Sequence, residues 1–228
     1  MNWSLLPTVS APMPLQMALD ELLFESQKEK PQAPVLRFYV SSEPWISVGY
    51  SFQKVTDLRK SAMIRQNTKV PVCGRITGGG CVLHGEDLIF SLCGQCENGG
   101  SLSTLGSVQS SYEMLHEAVK KGFQSAGLEP EFYEAQGKLP KGSDCFDFPV
   151  ESDLSWSGKK IAGGAQKRSG GVLLHHESIS IPSGVAREPF IQAVKKGLEQ
   201  VLGVTIQNSD MDPKLFFAAE RTQKWMKP

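Results

Sequence analysis

Residues 75–84 read Arg-Ile-Thr-Gly-Gly-Gly-Cys-Val-Leu-His, and apolar runs stand on both sides of this stretch. The pattern predicts a strand, a loop and a strand over residues 70–93. A loop without side chains lets the backbone approach a ligand closely and points several N–H groups at an anion or a carbonyl. A tight strand connection would show the same three glycines. The charged Arg75 before the loop, His84 after it and the strand predicted at 87–91 together favour a ligand site.

A second glycine-rich stretch, residues 158–168, reads Gly-Lys-Lys-Ile-Ala-Gly-Gly-Ala-Gln-Lys-Arg. Lys160 stands there in a predicted strand among small residues, which leaves room for a ligand against the strand. A solvated hairpin with ordinary surface lysines is the alternative, and it would be preferred if this stretch stood alone. Ser157-Gly158 and residues 169–171 predict hairpin turns on either side of the strand.

The periodicity of apolar residues predicts the remaining elements. Helices are predicted at 15–25, at 108–126, at 190–202 and, capped by Asp212-Pro213, over about a dozen residues near the C-terminus. Strands are predicted at 35–40, at 45–50 and within 154–181, a proline-rich start at 1–14 and an exposed loop at 94–106. His116 is predicted to lie at the surface of the second helix. Helices mixed with hairpin-linked strands predict one compact α+β or mixed α/β domain, rather than a largely parallel, doubly wound sheet.

The composition is that of a globular chain: 40% of the 228 residues are hydrophobic, which excludes collagen-like and disordered classes. Lys plus Arg (24) equal Asp plus Glu (24), so no basic excess favours a nucleic acid or a membrane surface as partner. No apolar run approaches the ~20 residues of a membrane span, and no secretory signal is expected. Five cysteines, an odd number, favour reduced thiols and a cytoplasmic location.

Several cysteines and histidines are candidates for chemistry or metal binding. Cys145 would be a good nucleophile if a nearby cation lowered the pKa of its thiol, whereas a lone cysteine is more often an inert apolar side chain. Cys93 and Cys96 have C-x-x-C spacing, but no second pair accompanies them, so a structural or accidental origin is favoured. His175 and His176 are neighbours in a predicted strand, so they face opposite ways and cannot share a metal.

Taken in order, these motifs resemble the catalytic domain shared by lipoate–protein ligases, biotin–protein ligases and octanoyltransferases. The resemblance covers most of the chain, and its motifs lie at residues 16–21, 36–39, 48–53, 75–91 and 158–181. Within the family, the chain is most similar to cysteine-dependent octanoyltransferases of the LipM type, because Cys145-Phe146 stands 15 residues before Lys160. Gly74, where a first arginine often stands, and Cys81, where alanine is common, depart from the family pattern. The biotin-ligase signature is missing, so biotin is not expected.

The resemblance implies a class II synthetase-like fold, in which helices flank a central mixed β-sheet. It also implies a single catalytic domain over residues 1–228, without a separate C-terminal accessory domain. Cys145 and Lys160 would be the catalytic residues, and no metal ligands are implied. The substrate-binding residues, along a tunnel for a medium acyl chain, would be Arg75, Thr77, Gly78, Gly79, Gly80, His84, Gly163, Ala165 and His176.

Three activities are compatible with the resemblance. In the first, Cys145 accepts an octanoyl group from octanoyl-acyl carrier protein and passes it to a lysine of a lipoyl domain, without a cofactor. In the second, ATP with magnesium activates lipoate as lipoyl-adenylate, Lys160 holds the acyl phosphate, and Cys145 is incidental. In the third, the chain binds a lipoyl domain or an acyl chain without turnover. Cys145 and the expected absence of a further C-terminal domain favour the first.

The resemblance also implies macromolecular partners. These are lipoyl-domain proteins, namely the glycine cleavage H protein and 2-oxoacid dehydrogenase E2 subunits, and acyl carrier protein in the transferase reaction. Such acidic partners would require a local basic patch, although scattered charges usually form only a solvated surface. The candidates for this patch are Lys138, Lys141, Lys159, Lys167 and Arg168.

Overall fold

Twelve strands, six α-helices and a short 3₁₀ helix (Ser103–Leu105) form the regular structure of the described part of the chain. The computed structural model describes residues 2–55, 61–97, 99–133, 152–222 and 225–226. The strands are β1 (Asn2–Ala11), β2 (Val35–Ser41), β3 (Trp45–Val48), β4 (Val72–Gly74), β5 (Cys81–His84), β6 (Leu88–Gln95), β7 (Glu131–Phe132), β8 (Leu154–Trp156), β9 (Lys159–Ser169), β10 (Val172–Ile179), β11 (Thr205–Asn208) and β12 (Trp225–Met226). The helices are α1 (Met13–Glu29), α2 (Tyr50–Val55), α3 (Ala62–Gln66), α4 (Val108–Ser125), α5 (Arg187–Leu202) and α6 (Pro213–Thr222).

The strands form one large and one small mixed sheet. The large sheet has eight strands in the order β11-β1-β2-β6-β10-β9-β8-β7, and the small sheet has the order β12-β4-β3-β5. In the large sheet, β1 pairs in parallel with β2 and β11, and the other neighbours are antiparallel. The prediction of a mixed sheet rather than a largely parallel one is therefore confirmed.

Helices cover the large sheet and complete the core. The apolar stripe of α4, predicted from its helical spacing, packs on α5, and the rings of Phe123 and Phe190 meet edge to face at a centroid distance of 4.8 Å. Phe24 of α1 packs with Cys93 and Leu174, which belong to β6 and β10. Burial of these side chains removes apolar area from water and holds the layers together. Among the described residues, none of the helices combines the length and the apolar character that crossing a bilayer requires.

Two predictions about the surface were wrong, and the first strand was not predicted. The start of the chain forms β1, where the register shifts between Leu6 and Val9, so the prolines at the start do not prevent pairing. The segment 94–106, predicted as an exposed loop, buries Leu102 and Leu105 in the main core. His116 is 1% exposed rather than on the surface, because a buried carboxylate from β10 pairs with it.

Candidate active site

A buried ion pair marks the strand in which sequence reasoning placed a ligand site. The Nζ of Lys160 in β9 lies 2.7 Å from Oδ2 of Asp153, and their side chains are 6% and 2% exposed. The hairpin through Ser157-Gly158 brings the two residues together, because Asp153 directly precedes β8 and β8 pairs with β9. Asp153 received no role in the sequence analysis, since its position beside Lys160 follows from this pairing.

Gly163 provides the space that the pair occupies. A Cβ at this position would lie 2.2 Å from Cε and 2.4 Å from Nζ of Lys160, and 2.9 Å from Oδ1 of Asp153. All three distances are shorter than real Cβ contacts allow, so a side chain here would displace the pair. The missing side chains of β9, from which a site was inferred, make room for this ion pair at Gly163.

Arg75 stabilises the glycine loop, residues 76–80, through hydrogen bonds to the backbone; this set of hydrogen bonds is called the brace. Its guanidinium donates to the carbonyl oxygens of Gly78 (2.9 Å) and Gly80 (3.0 Å), and to both the carbonyl (3.0 Å) and the Oγ (2.9 Å) of Ser47. Arg75 is only 5% exposed. The positive fork predicted beside the loop is present, and the structure places it against the loop's own carbonyl groups.

The same loop is held against β9 and against the small sheet. The N–H of Gly78 donates to the carbonyl of Gln166 in β9 (3.2 Å), and the N–H of Gly49 donates to that of Gly80 (3.0 Å). A Cβ on Gly49 would lie 2.0 Å from the carbonyl oxygen of Gly79, so the approach requires glycine at that position. Gly79, with a φ of 87°, is the exposed tip of the loop. Two predicted motifs, the glycine loop and β9, thus come into direct contact.

His84 extends the brace beneath the loop. Its Nε2 lies 2.8 Å from Oγ of Ser47, and its Nδ1 lies 2.7 Å from Oδ2 of Asp87. Burial raises the pKa of Asp87, but the charge and hydrogen bond of His84, with the hydrogen bonds from Ser178 and the N–H of Gly85, together lower it more, so the net pKa falls below its usual value. Ser47, His84 and Asp87 have the connectivity of a nucleophile, a base and a carboxylate. Because Ser47 is 1% exposed and accepts from Arg75, this row of hydrogen bonds supports the loop.

His176 links the loop to a buried cluster around Asp20. Its Nδ1 lies 3.1 Å from Oγ1 of Thr77, and its Nε2 lies 3.1 Å from Oδ2 of Asp20. Asp20 also pairs with Arg37 and accepts from the hydroxyl of Tyr39 (2.8 Å). Burial raises the pKa of Asp20, but the Arg37 charge and the interactions of His176 and Ser91 together more than offset this and hold the pKa well below its usual range. Asp20 and Arg37 lie in two of the family motifs, but the sequence alone predicts no role for either residue.

The other predicted substrate-binding residue of β9 lies beside this link. Ala165 pairs with His176 in the β9–β10 register, so both side chains point to the face that carries the glycine loop. His175 and Glu177 point to the opposite face, toward α4. The prediction that His175 and His176 face opposite ways is therefore confirmed.

Cys145 lies outside the described residues, as do Lys138 and Lys141. The residues that flank this part of the chain are described. The N–H of Tyr133 donates to the carbonyl of Asp153 at 2.7 Å, so the chain leaves and re-enters the described structure beside Lys160.

The remaining candidates have structural surroundings. Arg168 donates to the carbonyl oxygens of Leu105 and Gly106, both at 2.8 Å, whereas Lys159 is exposed. The Nζ of Lys167 lies 5.0 Å from the ring centre of Tyr50.

The C-x-x-C pair is buried. Burial raises the pKa of the Cys93 thiol far above its usual value, and the thiol of Cys96 donates to the carbonyl of Gly171 (3.3 Å). A buried thiol with a raised pKa is a poor nucleophile and a poor metal ligand. Within the described ranges, no group of three or more His, Cys, Asp or Glu side chains is arranged to hold a metal ion.

Residues 12–205 match the lipoyl protein ligase A/B catalytic domain, and this range contains all of the site residues described above. The chain belongs to this family. As a lipoyl protein ligase A/B domain, it is similar to octanoyltransferase LipM of an Exiguobacterium species, with 38% identity over an alignment of 189 residues that covers 79% of this chain and 66% of that protein. The chain spans 66% of the length of the first curated relatives that it matches.

Solved structures of the family have the same fold. A putative lipoate protein ligase from T. acidophilum has a TM-score of 0.75 at 20% identity, and the match covers 97% of this chain and 93% of that chain. A lipoate-protein ligase A bound with ATP has a TM-score of 0.72 at 20% identity, and the match covers 96% and 93% of the two chains. The predicted class II synthetase-like fold is confirmed.

Proposed function

We propose that this chain is an acyltransferase in protein lipoylation, which moves an octanoyl or lipoyl group onto a lysine of a lipoyl domain. The acyl donor is octanoyl-acyl carrier protein, and Cys145 carries the group as a thioester. The observation that supports this most directly is the buried Lys160–Asp153 pair beside Gly163. Asp153 of this pair accepts a hydrogen bond from the N–H of Tyr133, and these two residues lie near the two ends of the part of the chain that contains Cys145. The ammonium of Lys160 is therefore a fixed cation beside both ends. The octanoyltransferase relatives support the same reaction.

The first step forms the acyl-enzyme. The Cys145 thiolate attacks the thioester carbon of the donor, a new C–S bond forms, and the carrier's thiolate leaves with its electron pair. Negative charge develops on the carbonyl oxygen before that thiolate leaves. The ammonium of Lys160 and backbone N–H groups would stabilise this oxyanion, by a few kcal/mol per donor in comparable sites.

The second step delivers the acyl group. The neutral amine of the target lysine attacks the same carbon, a C–N bond forms, and the C–S bond to Cys145 breaks. The thiolate that leaves takes up the proton that the amine loses, so the enzyme returns to its thiol form. Neither step consumes a nucleotide. The partners are thus a lipoyl-domain protein, such as the glycine cleavage H protein or a dehydrogenase E2 subunit, and acyl carrier protein.

An ATP-dependent ligase is the second candidate, because the solved structures that share the fold are lipoate ligases, one of them bound with ATP. In that reaction, ATP with its magnesium ion and lipoate are co-substrates. Lys160 then faces an acyl phosphate rather than a thioester, and Cys145 takes no part. The buried ammonium of Lys160 suits either oxyanion, so the test must separate the two by their need for ATP.

The test is an intact-mass measurement after the protein is mixed with octanoyl-acyl carrier protein without ATP. We expect a mass gain of one octanoyl group in the natural protein and none in Cys145→Ser. Cys96→Ala is the matched control, because it removes a buried thiol away from Lys160 and should leave the adduct intact.

Two results would contradict the transferase. The first is ATP-dependent lipoyl transfer by Cys145→Ser at the natural rate, which would establish the ligase. The second is the absence of both the adduct and any ATP-dependent transfer, which would favour a protein that binds a lipoyl domain or an acyl chain without turnover.

A further inference from the structure

A second buried charge cluster lies behind β9, on the face opposite the Lys160–Asp153 pair. The Nε2 of His116 in α4 lies 3.0 Å from Oε2 of Glu177 in β10, and the Nε2 of His175 lies 2.9 Å from the same oxygen. The side chains of these three residues are at most 1% exposed. The reaction proposed above uses none of them, so their burial calls for a separate explanation.

The hydrogen-bond partners define the protonation of His116. Its Nδ1 contacts the carbonyl oxygen of Ser152, which can only accept, so this nitrogen carries a proton. Burial raises the pKa of Glu177, but the interactions of His116 and His175 together lower it more, to about 2, so Glu177 is an ionised acceptor. The Nε2 of His116 therefore also donates, and the ring is an imidazolium. The net pKa of His116 rises accordingly: burial lowers it, and the charge and hydrogen bond of Glu177, with the charge of Asp153 and the hydrogen bond to Ser152, together raise it more.

His175 completes this assignment as a neutral ring. Its Nε2 donates to Glu177, and its Nδ1 lies 3.2 Å from Nε2 of Gln166, an amide group that donates. Burial lowers the pKa of His175, and the charge of His116 acts in the same direction. The charges that face His116 are thus Glu177 from β10 and Asp153, which directly precedes β8, and the ring of Tyr112 from its own helix also packs on it.

The proton on Nδ1 of His116 acts on an unusual backbone position. Ser152 has a φ of 77°, in the left-handed region that residues with a Cβ seldom adopt. The next residue is Asp153, whose carboxylate binds Lys160. A donor that holds the Ser152 carbonyl therefore also sets the direction from which Asp153 reaches the ion pair.

We propose that His116 is a positioning residue for the Lys160–Asp153 pair: held as an imidazolium by Glu177, it clamps the Ser152 carbonyl and fixes the backbone that presents Asp153 to Lys160. The effect of His116 on catalysis rests on the proposed function. The clamp, which is the hydrogen bond from His116 to the Ser152 carbonyl, does not depend on that function. Histidine is required because one ring must donate in two directions, to a carboxylate and to a carbonyl.

The test compares two substitutions that keep different halves of the ring. In His116→Asn the amide nitrogen lies where Nδ1 was and still donates to Ser152. In His116→Gln the amide nitrogen lies nearer the position of Nε2, so the donor to Ser152 is lost. His175→Gln is the control, because it alters the other partner of Glu177 without touching Ser152. Circular dichroism establishes that each variant is folded.

The first readout is the rate at which N-hydroxysuccinimide acetate modifies Lys160, measured by peptide mapping. Lys159 is exposed and serves as the internal reference in the same peptide. Loss of the charge-assisted hydrogen bond from His116 to Ser152 should weaken the hold of Asp153 on Lys160 and make the Lys160 amine more accessible. We therefore expect about tenfold faster modification of Lys160 in His116→Gln. His116→Asn and His175→Gln should stay within about twofold of the natural protein. Equal rates in the Asn and Gln variants would overturn the clamp.

The second readout needs no variant. The ¹⁵N shifts of His116 in the natural protein at neutral pH should show both ring nitrogens protonated. A single unprotonated nitrogen would overturn the assignment even if a variant failed to fold.

The third readout is acyl transfer, in which His116→Gln should lower kcat about tenfold with little change in KM, while His116→Asn should retain it. If the natural protein transfers no acyl group, the proposed function fails, and the first two readouts still decide the clamp.

Discussion

Gly163 and Gly164, adjacent in β9, make room on opposite faces of the sheet for two different buried ion pairs. A Cβ on Gly163 would lie 2.2 Å from Cε of Lys160, and a Cβ on Gly164 would lie 2.5 Å from Cε1 of His175 and 2.7 Å from Oε2 of Glu177. Successive residues of a strand point to opposite faces, so one pair of glycines serves both clusters. The turn at Ser152 and Asp153 then connects the clusters, since His116 binds the first residue and Lys160 the second.

The two glycines should respond differently to alanine. Neither has a left-handed φ, so alanine is compatible with the backbone, and steric contact decides the outcome. Gly164→Ala meets packed ring and carboxylate atoms and should lower the free energy of unfolding by about 2 kcal/mol. Gly163→Ala meets the end of a flexible lysine, so it should cost less stability but lower kcat by at least about tenfold. Urea unfolding and acyl-transfer rates measure both effects, and the reverse assignment would contradict this interpretation.

Removal of one member of the Lys160–Asp153 pair should destabilise the protein more than replacement of both. Asp153→Asn leaves a buried ammonium without its carboxylate, which should cost about 3 kcal/mol of unfolding free energy. The double variant Asp153→Asn, Lys160→Met removes the charge as well and should recover part of that loss. All of these variants should lack acyl transfer. A single variant as stable as the natural protein in urea would show that the pair carries no such energy.

The brace beneath the glycine loop depends on the planar fork of arginine. Arg75→Lys keeps the charge but cannot reach Ser47, Gly78 and Gly80 together, so buried carbonyl groups lose their donors. We expect a loss of about 3 kcal/mol in unfolding free energy and slower acyl transfer. Lys159→Arg, a change at an exposed lysine, is the control and should change neither. Natural stability in Arg75→Lys would argue against the brace.

The cluster at Glu177 predicts how stability varies with pH. The pKa of Glu177 falls from 4.5 to about 2 in the folded state, so its contribution is present above 4.5 and is lost as the pH falls toward 2. The pKa of His116 rises above 6.5, so its contribution is full below 6.5 and is lost as the pH rises through the raised value.

The difference in unfolding free energy between the natural protein and Glu177→Gln should therefore be largest between about pH 4.5 and 6.5. It should decline on both sides, and urea titrations at a series of pH values measure it. Asp20 and Asp87 also have lowered pKa values, but they are present in both proteins and cancel in the difference. A difference that does not vary with pH would contradict the assigned charges of the cluster.

Helices and hairpins were predictable because their signals are local. The apolar spacing of α4 and α5, the cap at Asp212 and the turns around β9 all act within a few residues of the chain. The glycine loop and Lys160 could also be singled out, since glycine and lysine in a strand contradict ordinary strand composition. The strand β1 was missed because it contains Pro7 and is followed by Pro12 and Pro14, a composition that favours an irregular chain. Its pairing partners, β2 and β11, also lie elsewhere in the sequence.

Local pattern thus determined the type of the elements and the chemistry that each could carry, and the family motifs determined the fold. Which partner each charged side chain contacts was decided only by packing. From the sequence, Arg75 could contact a ligand or the loop, and His116 could be exposed to solvent or buried. Sheet register and helix packing bring their partners close and decide between these. Glu177 reaches His116 from a distant part of the chain, whereas Asp153, seven residues before Lys160, reaches it through the β8–β9 hairpin. Periodicity records which side of an element is apolar, but an ion pair depends on distances between elements.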